Sequence, residues 1–207
     1  MSNISYKMTL LGDIGVGKTT LFKKLSKDNF NEKSLSTIGI DKVVVNLKIN
    51  TSEGEKDAEI ILYDTAGQEK FRSISISYFR ESTGIIMMYD ISRNETFENL
   101  DDWSKDILDN LGDRENYLIL LLGNKVDLVN ENPELREAEE KDAKEYCANN
   151  NILWGGEFSV KNFNLEKLIS IFKEFVEKMY KKIGNINDKK SETILNKSKL
   201  KKKKGIC

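Results

Sequence analysis

Residues 12–19 read Gly12-Asp13-Ile14-Gly15-Val16-Gly17-Lys18-Thr19. This fits G-x-x-x-x-G-K-[S/T], a loop whose glycines let the backbone curl so that successive N–H groups face phosphate oxygens. In that pattern Lys18 adds a positive charge near the terminal phosphates, and the Thr19 hydroxyl can ligate Mg²⁺. The flanks agree with it. Tyr6 to Leu11 is a short, mostly apolar run that reads as a strand, and Thr20 to Lys27 carries Leu21, Phe22 and Leu25 at helical spacing. A helix starting at the loop brings its partial positive charge to the same place.

Outward from this loop, strands and helices alternate. Lys42 to Asn50 alternates Val43, Val45, Leu47 and Ile49 with polar or exposed positions. Ser52-Glu53-Gly54 signals a turn, and Ala58 to Tyr63 returns as the second strand of an antiparallel hairpin. Gly84 to Asp90 and Tyr117 to Gly123 are continuous apolar runs, as expected of parallel strands buried on both faces. Phe97, Leu100, Trp103, Ile107 and Leu108 keep helical spacing, and Pro133 opens a charged segment, read as helix, that runs to Asn149 with Cys147 buried or half-buried near its end. Ile152 to Phe158 is the last strand. Leu165, Leu168, Ile169, Phe172, Val176 and Met179 form one stripe of a final amphipathic helix.

The pattern predicts an α/β fold: one domain over residues 1–182, with a mostly parallel six-stranded sheet, helices on both faces and one antiparallel edge strand. Ligand loops of such sheets gather at the carboxyl ends of the strands. The glycine loop, Asp64, Asn124-Lys125-Val126-Asp127 and Ser159-Val160-Lys161 all follow expected strands directly. An Asp ending a buried strand beside such a loop is where a Mg²⁺-organising carboxylate belongs.

Composition narrows the chemistry. The 207 residues suffice for one core and a short tail. No apolar run approaches the roughly 20 residues that span a bilayer, and the amino terminus lacks a signal-peptide core. Ser2 rules out the myristoylation motif. With no histidine and two cysteines, Cys147 and Cys207, a zinc site, a disulfide framework and imidazole acid–base chemistry are excluded. Net charge is −1, unevenly spread: residues 181–207 hold ten lysines against Asp188 and Glu192, beside an acidic body. A flexible Lys-rich tail over 183–207, seeking an anionic surface, is the expectation.

The base follows from hydrogen-bond polarity. The Asp127 carboxylate only accepts. Guanine offers two donors on one edge, N1–H and the 2-amino group, whereas adenine presents a lone pair at N1. An in-plane carboxylate therefore selects guanine, with Asn124 and Lys125 bracing the loops and covering the base.

At this point the chain resembles the Ras-like small GTPases, and most closely their Rab family, from about Tyr6 to Tyr180. The likeness is carried by G-D-I-G-V-G-K-T, S-T-I-G-I-D, D-T-A-G-Q-E-K-F-R-S-I, S-Y-F-R-E-S-T-G-I-I, Y-D-I-S, G-N-K-V-D-L and S-V-K, in that order. The resemblance implies that GTP or GDP binds with Mg²⁺. Contacts are implied from Asp13, Gly15, Val16, Gly17, Lys18, Thr19 and Thr20, from Phe30 packing on the base, and from Asn124, Lys125, Asp127, Ser159, Val160 and Lys161. It implies that Thr19 and Thr37 ligate Mg²⁺ with Asp64 acting through water. Gly67 would sense the γ-phosphate and Gln68 would position the attacking water, so that Gln68, Lys18 and Thr37 are the catalytic set. Expected partners are an exchange factor, an activating protein, a GDP-dissociation inhibitor, a prenylation escort protein and effectors. The implied setting is a monomer on the cytoplasmic face of intracellular membranes, cycling with the cytosol.

Three departures stand out. Ile14 occupies a position where these families carry a small residue, so its branched side chain is expected to crowd the γ-phosphate and slow hydrolysis. Lys42 and Tyr63, with Tyr78, match an effector-facing aromatic triad in which one aromatic is lost and one made more polar. Cys207, after K-K-K-K-G-I, fits no C-a-a-X box, and geranylgeranylation of it is expected instead. The rival readings are a GTP-binding scaffold that scarcely hydrolyses and an ATP-using P-loop kinase or transporter subunit. Nucleic-acid binding by the lysines is weaker still, because the acidic body offers no basic groove.

Overall fold

The strand Gly84–Asp90, G-I-I-M-M-Y-D, is buried at all seven positions. Side chains alternate across a strand, so such a run must feed two cores at once. It does: Ile86 and Met88 enter one cluster, while Ile85, Met87 and Tyr89 enter another on the opposite face.

The computed structural model describes residues 4–27, 41–64, 82–112 and 116–184. Strands are β1 (Ile4–Leu11), β2 (Asp41–Thr51), β3 (Gly54–Asp64), β4 (Gly84–Asp90), β5 (Leu118–Asn124) and β6 (Leu153–Phe158). They form one sheet in the order β2-β3-β1-β4-β5-β6. Only the β2–β3 pair is antiparallel, which leaves β2 as the antiparallel edge strand. The helices are α1 (Lys18–Lys27), α2 (Asn94–Glu98), α3 (Leu100–Leu111), α4 (Val126–Glu131), α5 (Glu140–Asn149) and α6 (Leu165–Ile183). Leu21, Phe22 and Leu25 of α1 join Leu168, Phe172, Phe175, Val176 and Met179 of α6 in the first core. Leu100, Ile107 and Leu111 of α3 join Ala143 and Cys147 of α5 in the second. The expected α/β architecture, with helices on both faces, is the observed one.

Local chemistry sets the boundaries of α6. Asn164 caps its start by accepting the Glu166 N–H at 2.7 Å. Gly184, at φ 72°, ends it, and Lys181 and Lys182 lie in the last turn, where cations favour the helix dipole. The Tyr6 hydroxyl donates to the Gly184 carbonyl at 2.8 Å, which ties the end of α6 to β1.

Some expectations change in detail. The hairpin is longer than read, with eleven residues in each strand, and the return strand starts directly at Gly54. The segment around Phe97–Leu108 is two helices divided at Asn99, and Leu108 is 50% exposed and so outside the core. The charged segment from Pro133 to Asn149 is not one helix. Asn132 caps a short 3₁₀ turn, Pro133–Leu135, after which the chain runs extended at Arg136. Tertiary bonds cause the break. Arg136 makes a fork-to-fork pair with Glu157, at 3.0 and 2.6 Å, and the Glu137 and Ala138 N–H groups both donate to the Ile91 carbonyl. The short helix α4, inside the loop after β5, turns Val126 and Val129 toward the second core, a pattern too short to foretell a helix.

Cys147 is 3% exposed, and burial pushes its thiol up to about 12. A thiol kept protonated in apolar surroundings is inert. Mass mapping after treatment with a thiol alkylating reagent at pH 8 should leave Cys147 unlabelled in the folded protein and label it in denaturant. Labelling of Cys147 at equal rates in both states would contradict this packing.

Candidate functional site

All strands except β2 run the same way, so β1, β3, β4, β5 and β6 deliver their carboxyl ends to one edge. There stand the glycine loop after β1, Asp64 ending β3, Asp90 ending β4, Asn124 ending β5 and Ser159 after β6.

The glycine loop needs its glycines. Gly12, Gly15 and Gly17 all have positive φ, 129°, 77° and 107°. At Gly12 a Cβ would lie 2.2 Å from the Met88 carbonyl oxygen, and at Gly17 it would lie 2.1 Å from the Asn124 amide nitrogen. Bare backbone is the only kind that fits between β4 and β5. Lys18, 4% exposed, folds back across the loop and donates to the Gly12 and Asp13 carbonyls, each at 2.6 Å. Val16 is fully buried, Thr19 is half-buried in the first turn of α1, and Thr20 is exposed.

Asn124 joins three loops through one side chain. Its Nδ2 donates to the Val16 carbonyl at 2.7 Å, and its Oδ1 accepts the Val160 N–H at 2.9 Å. Lys24 of α1 secures the same third loop by donating to the Val160 carbonyl at 2.9 Å. Ser159 and Val160 are buried and Lys161 is exposed. Lys125 takes a left-handed conformation, φ 74°, and its ammonium meets Asp90 Oδ2 at 2.6 Å. Asp127 is half-buried in the first turn of α4 and makes no ion pair among the described residues. The structure therefore gathers Gly12–Thr19, Asp64, Asn124–Asp127 and Ser159–Lys161 on one edge. Phe30, Thr37, Gly67, Gln68, Tyr78 and Cys207 lie outside the described residues.

Asp64 is 1% exposed and pairs in register with Leu10 of β1, which puts a carboxylate beside the root of the glycine loop. The residue is engaged elsewhere, yet its Oδ1 is buried without a hydrogen bond. An oxygen-only donor set of the Asp64 carboxylate and the Thr19 hydroxyl fits a hard cation such as Mg²⁺.

Three features had escaped the reading of single residues. Asp13 does not turn its side chain to the loop's interior: Asn99 Nδ2 and Trp103 Nε1 donate to its two oxygens at 2.7 and 2.9 Å. Asp13 can therefore serve a ligand through its backbone only. Arg93 Nη2 donates to the Ile14 carbonyl at 2.8 Å. Asp90, fully buried, accepts from Lys125, Arg93 and Ser92. Burial would raise its carboxyl, but the Lys125 and Ser92 donors outweigh that and hold it below the usual carboxylate range. The available signal was an acid closing an otherwise apolar strand at the loop-bearing edge. Ile14 itself is 57% exposed and borders an open cavity of about 260 Å³ shared with Arg93, Glu95, Asp102 and Trp103.

Comparison with known proteins agrees with this geometry. The sequence model of the Ras family matches residues 7–199. The chain is 34% identical over 176 residues to Ras-related protein Rab11B of Nicotiana tabacum, which covers 85% of this chain and 75% of that protein. It is 43% identical over 142 residues to Ras-related protein Rab-13 of Mesocricetus auratus, covering 68% of this chain and 66% of that one. With Ras-related protein rab-11.1 of Caenorhabditis elegans it shares 33% identity over 180 residues, 87% of this chain and 79% of the relative. A loop that offers bare backbone to phosphate, a carboxylate for a hard cation and this breadth of likeness lead to one assignment: the chain belongs to the Ras family of small GTPases, enzymes that hydrolyse GTP, and within it to the Rab type.

Proposed function

We propose that this chain is a guanine-nucleotide switch of vesicle traffic whose nucleotide lies along the carboxyl edge of the sheet. The observation that supports this most is the Asn124 bridge, which holds the glycine loop and the Ser159–Lys161 loop at fixed distances from Asp127. In this reading the N–H groups of residues 13–19 and the Lys18 ammonium receive the phosphates, Asp127 accepts the two guanine donors, and Phe30 covers the ring. Thr19 and Thr37 would ligate Mg²⁺ with Asp64 acting through water, and the ion would neutralise charge on the phosphates when bound. Gln68 orients the water whose oxygen bonds to the γ-phosphorus as the bond to the GDP oxygen breaks. Gly67 senses the γ-phosphate. Catalysis is positioning and electrostatics, in keeping with a chain that has no histidine.

The conformations around GTP and GDP would be read by an exchange factor, an activating protein, a dissociation inhibitor and effectors. The effector-facing side of this chain is unusual. Lys42 lies directly across from Tyr63 in the β2–β3 register, and the Lys7 ammonium stands 4.8 Å from the centre of the Tyr63 ring. Effectors that press apolar surface on this face would meet cations, so effector choice should differ from that of relatives with an aromatic at position 42. Membrane attachment is proposed through a prenyl group on Cys207, delivered by an escort protein, together with the lysines that precede it. One lipid chain and a basic patch make the two signals that stable anchoring needs. The protein would act as a monomer on the cytoplasmic face of intracellular membranes and cycle with the cytosol.

Competition against a fluorescent GDP analogue tests the base assignment. GDP should bind most tightly. IDP, which lacks the 2-amino donor, should be weaker by about tenfold to a hundredfold, the worth of one hydrogen bond to a charged group, and ADP weaker again. Equal affinity for ADP and GDP would overturn it. For the hydrolytic brake, in which the β-branched side chain of Ile14 would crowd the reacting phosphate, Ile14→Gly should raise GTP turnover, intrinsic or stimulated, by about tenfold or more, equivalent to about 1.4 kcal/mol. Unchanged turnover by phosphate release in both conditions would remove Ile14 as its cause. Intact mass of the protein from its native cell should show a geranylgeranyl increment mapped to Cys207, and an unmodified Cys207 in the membrane fraction would rule that anchor out.

A further inference from the structure

Asp90 uses its two carboxylate oxygens differently. Oδ1 is local: it accepts the Ser92 N–H at 3.0 Å and the Ser92 hydroxyl at 2.6 Å, closing the turn that leaves β4. Oδ2 reaches across the fold: it meets the Lys125 ammonium at 2.6 Å and Arg93 Nε at 3.1 Å. The same Arg93 guanidinium donates through Nη2 to the carbonyl of Ile14, on the outer rim of the glycine loop. The path thus runs from the base-side loop to Asp90, to Arg93 and to the phosphate-side loop, with each link a charged hydrogen bond. The turn that carries it is itself fixed. Thr96 Oγ1 accepts the Asp90 N–H at 2.9 Å, the Ile91 N–H donates to the Asn124 carbonyl at 3.1 Å, and the Arg93 N–H donates to the Asp90 carbonyl at 3.0 Å.

We propose that Asp90 is a positioning residue that locks the base-side loop to the phosphate-side loop through Lys125 and Arg93. It touches neither base nor phosphate. Moving the base-side loop takes the Lys125 ammonium away from a fully buried carboxylate, and moving the glycine loop breaks the charged hydrogen bond that Arg93, held by the same carboxylate, makes to Ile14. Grip on the base and grip on the phosphates are therefore released together, and nucleotide leaves in one step rather than by loosening at one end. The proposal deepens the guanine-nucleotide reading above and rests on it.

The two oxygens supply the test. In Asp90→Asn the remaining carbonyl can still accept from Ser92, while the new amide group turns its protons toward Lys125 and Arg93. The turn stays and the bridge is lost. Arg93→Met cuts the bridge at its exposed end and keeps the aliphatic bulk. Release of a fluorescent GDP analogue from the full-length Mg²⁺ complex, followed after adding excess GDP, should quicken about threefold or more in each single variant. In the double variant it should be within about twofold of Asp90→Asn alone, because both changes break one path. The unfolding midpoints of the nucleotide-free forms are measured beside these rates, since a purely structural role would shift the midpoints without this non-additivity. A smaller rise in either single variant, or rates that multiply in the double variant, overturns the proposal. Should Asp90→Asn fail to fold, Arg93→Met decides alone: an unchanged release rate overturns the proposal and a quickened one supports it. A wild-type chain that binds no GDP analogue overturns the guanine-nucleotide reading itself, a failure seen before any variant is made.

Discussion

One carboxamide holds the working edge of this molecule together. Asn124 bonds a carbonyl 108 positions before it and an N–H 36 positions after it, and leaves no room for a side chain at Gly17. A carboxamide suits the task because it offers a donor and an acceptor in one rigid plane and carries no charge to desolvate. A carboxylate there would face the Val16 carbonyl lone pair, and an aliphatic side chain would leave two buried backbone groups unsatisfied, at about 1–3 kcal/mol each. The positions of Lys18, Asp127 and Val160 relative to one another follow from this junction.

The sheet makes such a junction possible. Five parallel strands end on the same edge, and the two-faced burial of the central strand β4 leaves the interior few ways to shift. Among the buried polar groups, Asp64, Asp90 and Asn124 close three of these strands. Each is nearly inaccessible to solvent, with 1%, 0% and 4% exposure. Burial of this kind is costly without partners, and for Asn124 and for Asp90 through Lys125 a partner comes from another loop, so groups that need satisfying also fix the loops in place.

Much of this was legible from residue order alone. The glycine loop, the two all-apolar strands and the helical stripe of α6 are local patterns whose period or spacing is set by backbone geometry, and the common edge follows from parallel strands joined by helices. What escaped was set by distant partners. The extended break at Arg136 exists because Glu157, 21 residues on, captures its guanidinium, and no window of sequence around Pro133 carries that fact. The role of Asp90 depends on Lys125, and the fate of the Asp13 side chain depends on Asn99 and Trp103, 86 and 90 residues away. Leu108 keeps the helical spacing of Ile107 and yet stands half exposed, because spacing marks a face of a helix and not how far that face is covered.

The grip of α3 on Asp13 has a practical side. An indole N–H hydrogen-bonded to a carboxylate emits light differently from one bonded to water or to nothing, because the excited ring's dipole feels the nearby charge. Trp103 is one of only two tryptophans, and its partner sits within the glycine loop itself. Any rearrangement of that loop which lengthens the 2.9 Å contact changes the field at the indole. The molecule thus contains an optical gauge of its own loop, readable without a label, and Trp154 on the far strand β6 serves as the internal reference against which the change is measured.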